Sequence, residues 1–198
     1  GSPLPAGVEQ GILEGMYLLR AGSGEPAPSG GARPRVQLLG SGAILREVLA
    51  GADLLESEFG VAADVWSVTS FNELRRDGME AERHNRLQPA AERRISVVER
   101  NLGRTEGPLV AATDYMRAFA DQIRPYLGKR TYSVLGTDGF GRSDYRVKLR
   151  SFFEVDRRHV VVAALGALAA DGVVDQAEVA AAVGRLGIDA TAPAPWTV

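Results

Sequence analysis

The segment from Arg35 to Val68 constrains the fold more than any other part of the chain. It opens with a short apolar run, Arg35–Gly40 (RVQLLG), and closes with a second, Val61–Val68 (VAADVWSV). Between them Gly40-Ser41-Gly42 turns the chain, and Ile44, Leu45, Val48, Leu49, Ala52, Leu55 and Phe59 recur at helical spacing. Gly60 follows at the position of a helix C-cap. Strand, helix and strand within about 35 residues form a βαβ unit, so the two strands are expected to be parallel with a right-handed crossover.

The remaining elements extend this unit. Leu109–Thr113 (LVAAT) and Tyr132–Gly136 (YSVLG) read as two more strands, and residues 14–20 as an edge strand. Tyr115, Met116, Phe119, Ala120, Ile123 and Tyr126 have the spacing of one helical face, with Asp114 as its N-cap. Asp156 is placed to cap a helix through Val160, Val161, Ala164, Leu165 and Leu168. Asp175 with Glu178 resembles a capping box ahead of Val179, Val183 and Leu186. Strands alternating with helices predict a three-layer α/β/α sandwich with a mostly parallel sheet of about five strands.

The rest reads as connections. Pro3–Gly11 is expected to lie extended, and Ala21–Pro34, with four Gly and three Pro, to form a flexible surface loop. Gly1-Ser2 reads as a cloning scar, residues 3–189 as a single domain and 190–198 as a tail trailing over the surface.

Composition excludes several function classes. The chain has 198 residues, so it can bury a sizeable core without disulfides or metal. It has no cysteine, which removes a thiol nucleophile, a thiolate zinc site and a disulfide scaffold, and which fits the reducing cytoplasm. Net charge −2 argues against coating nucleic acid. No run of 18 apolar residues exists, so no membrane-spanning helix is expected. Residues 72–106 hold eight arginines and seven acids, a pattern of helices facing water or another chain.

Candidate chemistry is sparse. Gly40-Ser41-Gly42 sits where a phosphate-binding turn would sit, but the third glycine's place is Leu45, so it reads as a tight turn. His84 and His159 lack a second histidine one helical turn away, which argues against a metal role. Ser41, Ser67, Ser70 and Ser143 lie outside any nucleophile elbow. The most unusual stretch is Thr137-Asp138-Gly139-Phe140-Gly141-Arg142-Ser143-Asp144, directly after a strand. Asp138 and Asp144 offer oxygens to a metal, and Arg142 offers donors to an anion. An ordered loop at a subunit contact is the equal alternative.

The strings RVQLLGSGAILREV, DVWSVTSFNELRRDG, ERHNRL, ATDYMRAFADQIRPY and SVLGTDGFGRSDYR closely resemble the C-terminal domain of homodimeric, bacterial-type pyruvate dehydrogenases. The resemblance runs from about Leu4 to Ile188 and extends more broadly to transketolase, through the Phe140-Gly141-Arg142-Ser143 loop. Pro26–Gly31 stands out as an insertion. The resemblance implies a larger enzyme that uses thiamine diphosphate and magnesium to decarboxylate pyruvate and reductively acetylate a lipoyl group. Implied partners are the N-terminal and middle domains of the same enzyme, a homodimer partner and a dihydrolipoyl acyltransferase core. It implies a fragment that supports assembly and is inactive alone, since the G-D-G…N-N pyrophosphate–magnesium motif is absent. No catalytic, cofactor or metal residue carries over. Asp138, Gly139, Phe140, Gly141, Arg142 and Asp144 are read as a structural or interface loop. A free-standing small-ligand or anion-binding module using residues 137–144 is the competing reading. An independent enzyme with a nucleotide at Gly40–Gly42 is a third.

Overall fold

The computed structural model describes residues 7–26, 31–138 and 146–197. Five strands form one sheet: β1 (Met16–Arg20), β2 (Arg35–Gly40), β3 (Ala62–Val68), β4 (Leu109–Ala112) and β5 (Tyr132–Leu135). Their order is β1-β3-β2-β4-β5. β2 pairs in parallel with β3 and with β4, β4 pairs in parallel with β5, and β1 lies antiparallel on β3 at one edge. The helices are α1 (Glu9–Glu14), α2 (Leu45–Glu58), α3 (Phe71–Leu87), α4 (Val97–Leu102), α5 (Arg117–Asp121), α6 (Arg146–Phe152), α7 (Arg157–Ala170) and α8 (Gln176–Arg185).

Alternation along the strands builds two cores. Val36, Leu38, Val65 and Val110 face one way and pack with Val48 and Leu55 of α2 and Val160, Ala164 and Leu168 of α7. Leu39, Trp66, Leu109 and Ala111 face the other way, onto Leu74 of α3, Val98 of α4 and Ile123. All seven residues of β3 are buried, as expected of a strand covered on both faces. The architecture is therefore the expected three-layer α/β/α sandwich with a mostly parallel sheet.

One buried carboxylate breaks the apolar run of β3. Asp64 accepts from the Arg35 guanidinium at 2.7 Å, from Gln37 Nε2 at 2.7 Å and from the backbone N–H of Gly22 at 2.8 Å. Gln37 Oε1 in turn accepts from Trp66 Nε1 at 2.8 Å. Each buried polar group thus has a partner, which offsets its desolvation.

Several expectations change. The opening stretch is not wholly extended, because residues 9–14 form α1 and the edge strand begins only at Met16. The start of the Ala21–Pro34 loop is tied down. Gly22 presses on β3 so closely that a Cβ there would lie 2.6 Å from Ala63 N. Ser23 N donates to Glu56 at 2.9 Å, and Arg35 donates to Ser23 O at 2.8 Å. Asp175 occupies the N-cap of α8 but its side chain makes no cap bond, so the capping box is not formed. The tail turns back at its end, where Pro195 is buried. Asp156 caps α7 as expected, accepting from the N–H groups of Arg158 and His159.

Candidate functional site

From β2 the chain continues to β3 on one side, and later returns to β4 on the other. In open α/β sheets such a switch point opens a crevice at the carboxyl ends of the strands. Here it lies between Ser41 and Thr113. Ser41 N–H donates to Ala112 O at 3.3 Å, and the Ser41 and Thr113 hydroxyls are 2.9 Å apart. Thr113 Oγ1, fully buried, also accepts from Tyr115 N–H at 3.2 Å. Gly42 has φ +55°, a left-handed conformation that favours glycine, and the Asp114 carboxylate lies 2.9 Å from where a Cβ would sit.

A cleft of about 330 Å³ opens over this pair, lined by Ser41, Ser70, Asn72, Thr113, Tyr115 and Phe119 among others. Among the described residues no charged side chain lines it. Ser70 is committed to capping α3 through Glu73 N–H at 3.1 Å. Among the described residues no histidine or carboxylate hydrogen-bonds Ser41, so its hydroxyl has no base to activate it as a nucleophile. Gly40-Ser41-Gly42 therefore acts as the expected turn.

Beside the cleft, the exit of β5 is stitched to the segment after β4. Thr137 N–H donates to Tyr115 O at 2.9 Å, and Thr137 Oγ1 donates to Asp114 O at 2.7 Å. Asp138 Oδ1 accepts from Arg117 N–H at 3.0 Å, the first amide of α5, and Oδ2 lies 3.3 Å from Arg117 Nε. Asp138 thus caps α5 from a distant strand, which leaves Asp114 without the cap role expected of it. The Arg117 guanidinium lies 4.5 Å from the centre of the Trp196 ring, so one arginine joins α5, the β5 exit and the tail. Gly139, Phe140, Gly141, Arg142, Ser143 and Asp144 lie outside the described residues.

The expected helical face from Tyr115 to Tyr126 is not one helix. α5 spans only Arg117–Asp121, with a single 3-10 turn at Arg124–Tyr126. Tyr115 and Met116 precede the helix and are 65% and 55% exposed, and Phe119 is 38% exposed. These three give the rim of the cleft an apolar patch that periodicity had assigned to the core. Pro125 limits the helix from its carboxyl side, but no local sequence signal marks its late start at Arg117.

The two histidines serve structure. His159 Nδ1 lies 2.8 Å from Asp156 Oδ1, and among the described residues no hydroxyl hydrogen-bonds its ring, the nearby Ser151 hydroxyl accepting instead from Arg158 at 2.8 Å. His84 Nε2 lies 3.3 Å from Glu92 O. Among the described residues no group of three or more histidines and carboxylates converges to hold a metal ion. Across the sheet, buried Glu47 of α2 accepts from Arg150 of α6 at 3.0 Å and from Arg157 N–H and Nε at 3.1 and 3.0 Å. Burial pushes its carboxyl pKa up, but the Arg157 and Arg150 hydrogen bonds and the Arg157 charge outweigh this and lower it.

The chain has clear relatives. It is 55% identical to the pyruvate dehydrogenase E1 component of Pseudomonas aeruginosa, over 94% of this chain and 20% of that protein. It is 52% identical to the pyruvate dehydrogenase E1 component of Cupriavidus necator, over 98% of this chain and 21% of that protein. The chain therefore spans about a fifth of the length of the curated relatives it matches. Among solved structures, transketolase from Leishmania mexicana superposes with a TM-score of 0.51, covering 98% of this chain and 21% of that chain. At 18% identity that likeness is one of fold alone. The family model for the transketolase-like TK C-terminal domain matches residues 15–156, most of the sandwich just described. No helix among the described residues is long and apolar enough to cross a membrane. By sequence and by sheet architecture, the chain belongs to the transketolase-like TK C-terminal domain family.

Proposed function

We propose that this chain is the C-terminal domain of a pyruvate dehydrogenase E1 component. The whole enzyme would use thiamine diphosphate and magnesium in the cytoplasm to decarboxylate pyruvate and reductively acetylate a lipoyl group. The observation that carries this reading is 55% identity over nearly the whole chain to a protein of that name. Within it, residues 3–189 form one domain, 190–198 its tail, and Gly1-Ser2 a cloning scar. The domain's role is assembly: it packs on the N-terminal and middle domains, supports the homodimer and helps present the enzyme to the dihydrolipoyl acyltransferase core. The described residues do not fit a magnesium–pyrophosphate site, for want of a converging group of carboxylates or histidines among them. Their part in this reading is therefore positional.

The segment of Asp138, Gly139, Phe140, Gly141, Arg142 and Asp144 takes a structural and interface role in this proposal. The hold of Asp138 on Arg117 supports that role at the one end that the structure describes. A chimera tests the reading as a whole. The C-terminal fifth of the Pseudomonas aeruginosa E1 component is exchanged for this chain, and pyruvate-dependent acetyl transfer is assayed with the cognate complex. The expected result is activity within about tenfold of the parent, the range left by small misplacements at an interface. A chimera that is folded and dimeric but inert would overturn the reading.

A further inference from the structure

The outward face of α3 carries Arg75, Arg76, Met79, Arg83 and Arg86, all exposed. Their spacing puts them in one stripe along the helix. Arg76 is paired with Glu73 at 2.5 Å. Arg75, Arg83 and Arg86 have no carboxylate within ion-pair distance among the described residues. Two acids of the same helix are engaged by an arginine outside the stripe. Asp77 and Glu80 each lie 3.4 Å from Arg94, and Asp77 also accepts from Val97 N–H at 2.6 Å. Glu80 and Glu82 line the groove with Arg75, Arg76, Arg83 and Arg86, two carboxylates against four guanidinium groups, so the face stays net basic. A groove of about 560 Å³ runs along it, with Met79, 48% exposed, at its centre.

We propose that this face docks an acidic segment of a separate partner protein, its carboxylates on Arg75, Arg83 and Arg86 and an apolar side chain over Met79. The composition suits a protein partner. Arginine and methionine are enriched in protein interfaces, and the guanidinium fork matches carboxylate geometry. The alternatives fit less well. Nucleic acid carries a phosphate at every nucleotide and would set some of them against Glu80 and Glu82, whereas a peptide can place apolar side chains there. A second copy would have to pair α3 with itself about a two-fold axis at Met79. That arrangement sets Arg75 against Arg83 of the other copy, like charge on like. Permanent packing against the rest of a longer polypeptide calls for a more apolar surface. The patch of Tyr115, Met116 and Phe119 offers that surface instead. The α3 stripe suits reversible, salt-sensitive docking. The proposal rests on this surface alone and does not depend on the pyruvate dehydrogenase reading.

Fluorescence anisotropy on the 198-residue chain tests it. The probe is a labelled peptide of alternating glutamate and leucine, with a lysine–leucine peptide and a single-stranded oligonucleotide as the other arms. The acidic peptide is expected to bind, and to lose about tenfold in affinity as sodium chloride rises from about 50 to about 300 mM. Combining Arg75→Glu with Arg83→Glu is expected to weaken it by a further factor of about ten or more. Arg46→Glu, on α2 in the opposite layer, is a control that reverses a single charge away from the groove, and is expected to change affinity less than about twofold. Circular dichroism confirms that both variants keep the wild-type helix content. The proposal is overturned if the acidic peptide does not bind, or if Arg46→Glu weakens it as much as the double variant. Tighter binding of the oligonucleotide than of the acidic peptide overturns it as well.

Discussion

Asp156 accepts from the backbone N–H of Arg158 at 3.0 Å and of His159 at 3.1 Å, and from both side chains. Burial pushes its pKa up, but these bonds from His159 and Arg158, with the His159 charge, hold the carboxyl well below the usual carboxylate range. A carboxylate depressed on folding stabilises the native state above its unfolded pKa, and that stability is lost as pH falls through the native one. The expected outcome follows. The difference in unfolding free energy between the wild type and Asp156→Asn is fully present at about pH 5. It then shrinks as pH falls below the ordinary aspartate value of 3.8. Urea titrations at a series of pH values measure this, and a difference that does not change with pH would count against it. The cap was legible because an aspartate stands one helical turn ahead of an apolar helical run that begins at Val160. Asp175 shows the limit of that signal: the same pattern stands at α8, but Glu178 N–H bonds the Asp175 backbone oxygen and the side chain makes no cap bond.

At the scale of elements, the strands of the βαβ unit were legible almost to the residue. Long apolar runs buried on two faces leave little alternative. The segment after β4 was not legible. Apolar spacing from Tyr115 to Tyr126 predicts one helix, yet Met116 has ψ 143° and stands extended ahead of α5. Pro125 lacks an N–H and disfavours helical geometry in the residue before it, so only a 3-10 turn follows. α1 escaped notice because it is six residues long and Val8 at its N-cap offers no side-chain bond. How α6 is held was also invisible in sequence, since Glu47 meets Arg150 103 residues later in the chain. That contact makes a prediction about the layer. Glu47→Gln removes the charge facing two guanidinium groups and sets an amide donor among donors. Losing one partner of a fully buried pair costs about 3–5 kcal/mol. Arg157 is half exposed and rehydrates, so the expected cost is about 2 kcal/mol. It reads out as a lower urea midpoint at unchanged slope. An unchanged midpoint would mean that this ion pair adds nothing to the docking of α6 and α7 on α2.

At the scale of the whole molecule, strand order was the part that local pattern did not contain. β2 sits at the centre, with β3 and β4 on either side, and this order places the crevice between Ser41 and Thr113. The order is set by which apolar faces meet across the sheet, a property of all the elements together. The crevice so formed bears on the cofactor of the proposed enzyme. A diphosphate needs compensating charge, from a divalent cation on hard oxygen ligands or from basic side chains. Among the described residues the cleft is lined by hydroxyls, an amide and aromatic rings, with no cationic side chain. Asp114, whose carboxylate lies against Gly42, adds a negative charge beside the turn where a phosphate would approach. Among the described residues no cluster of acids and histidines supplies the metal site. Titration calorimetry of the chain with thiamine diphosphate and magnesium is therefore expected to show no saturable heat up to about 1 mM, an affinity limit of about 4 kcal/mol. The active chimera, which carries the rest of the enzyme, is expected to bind the cofactor. Saturable micromolar binding by the chain alone would show that the domain holds a cofactor site of its own, and the positional role assigned to it would fail.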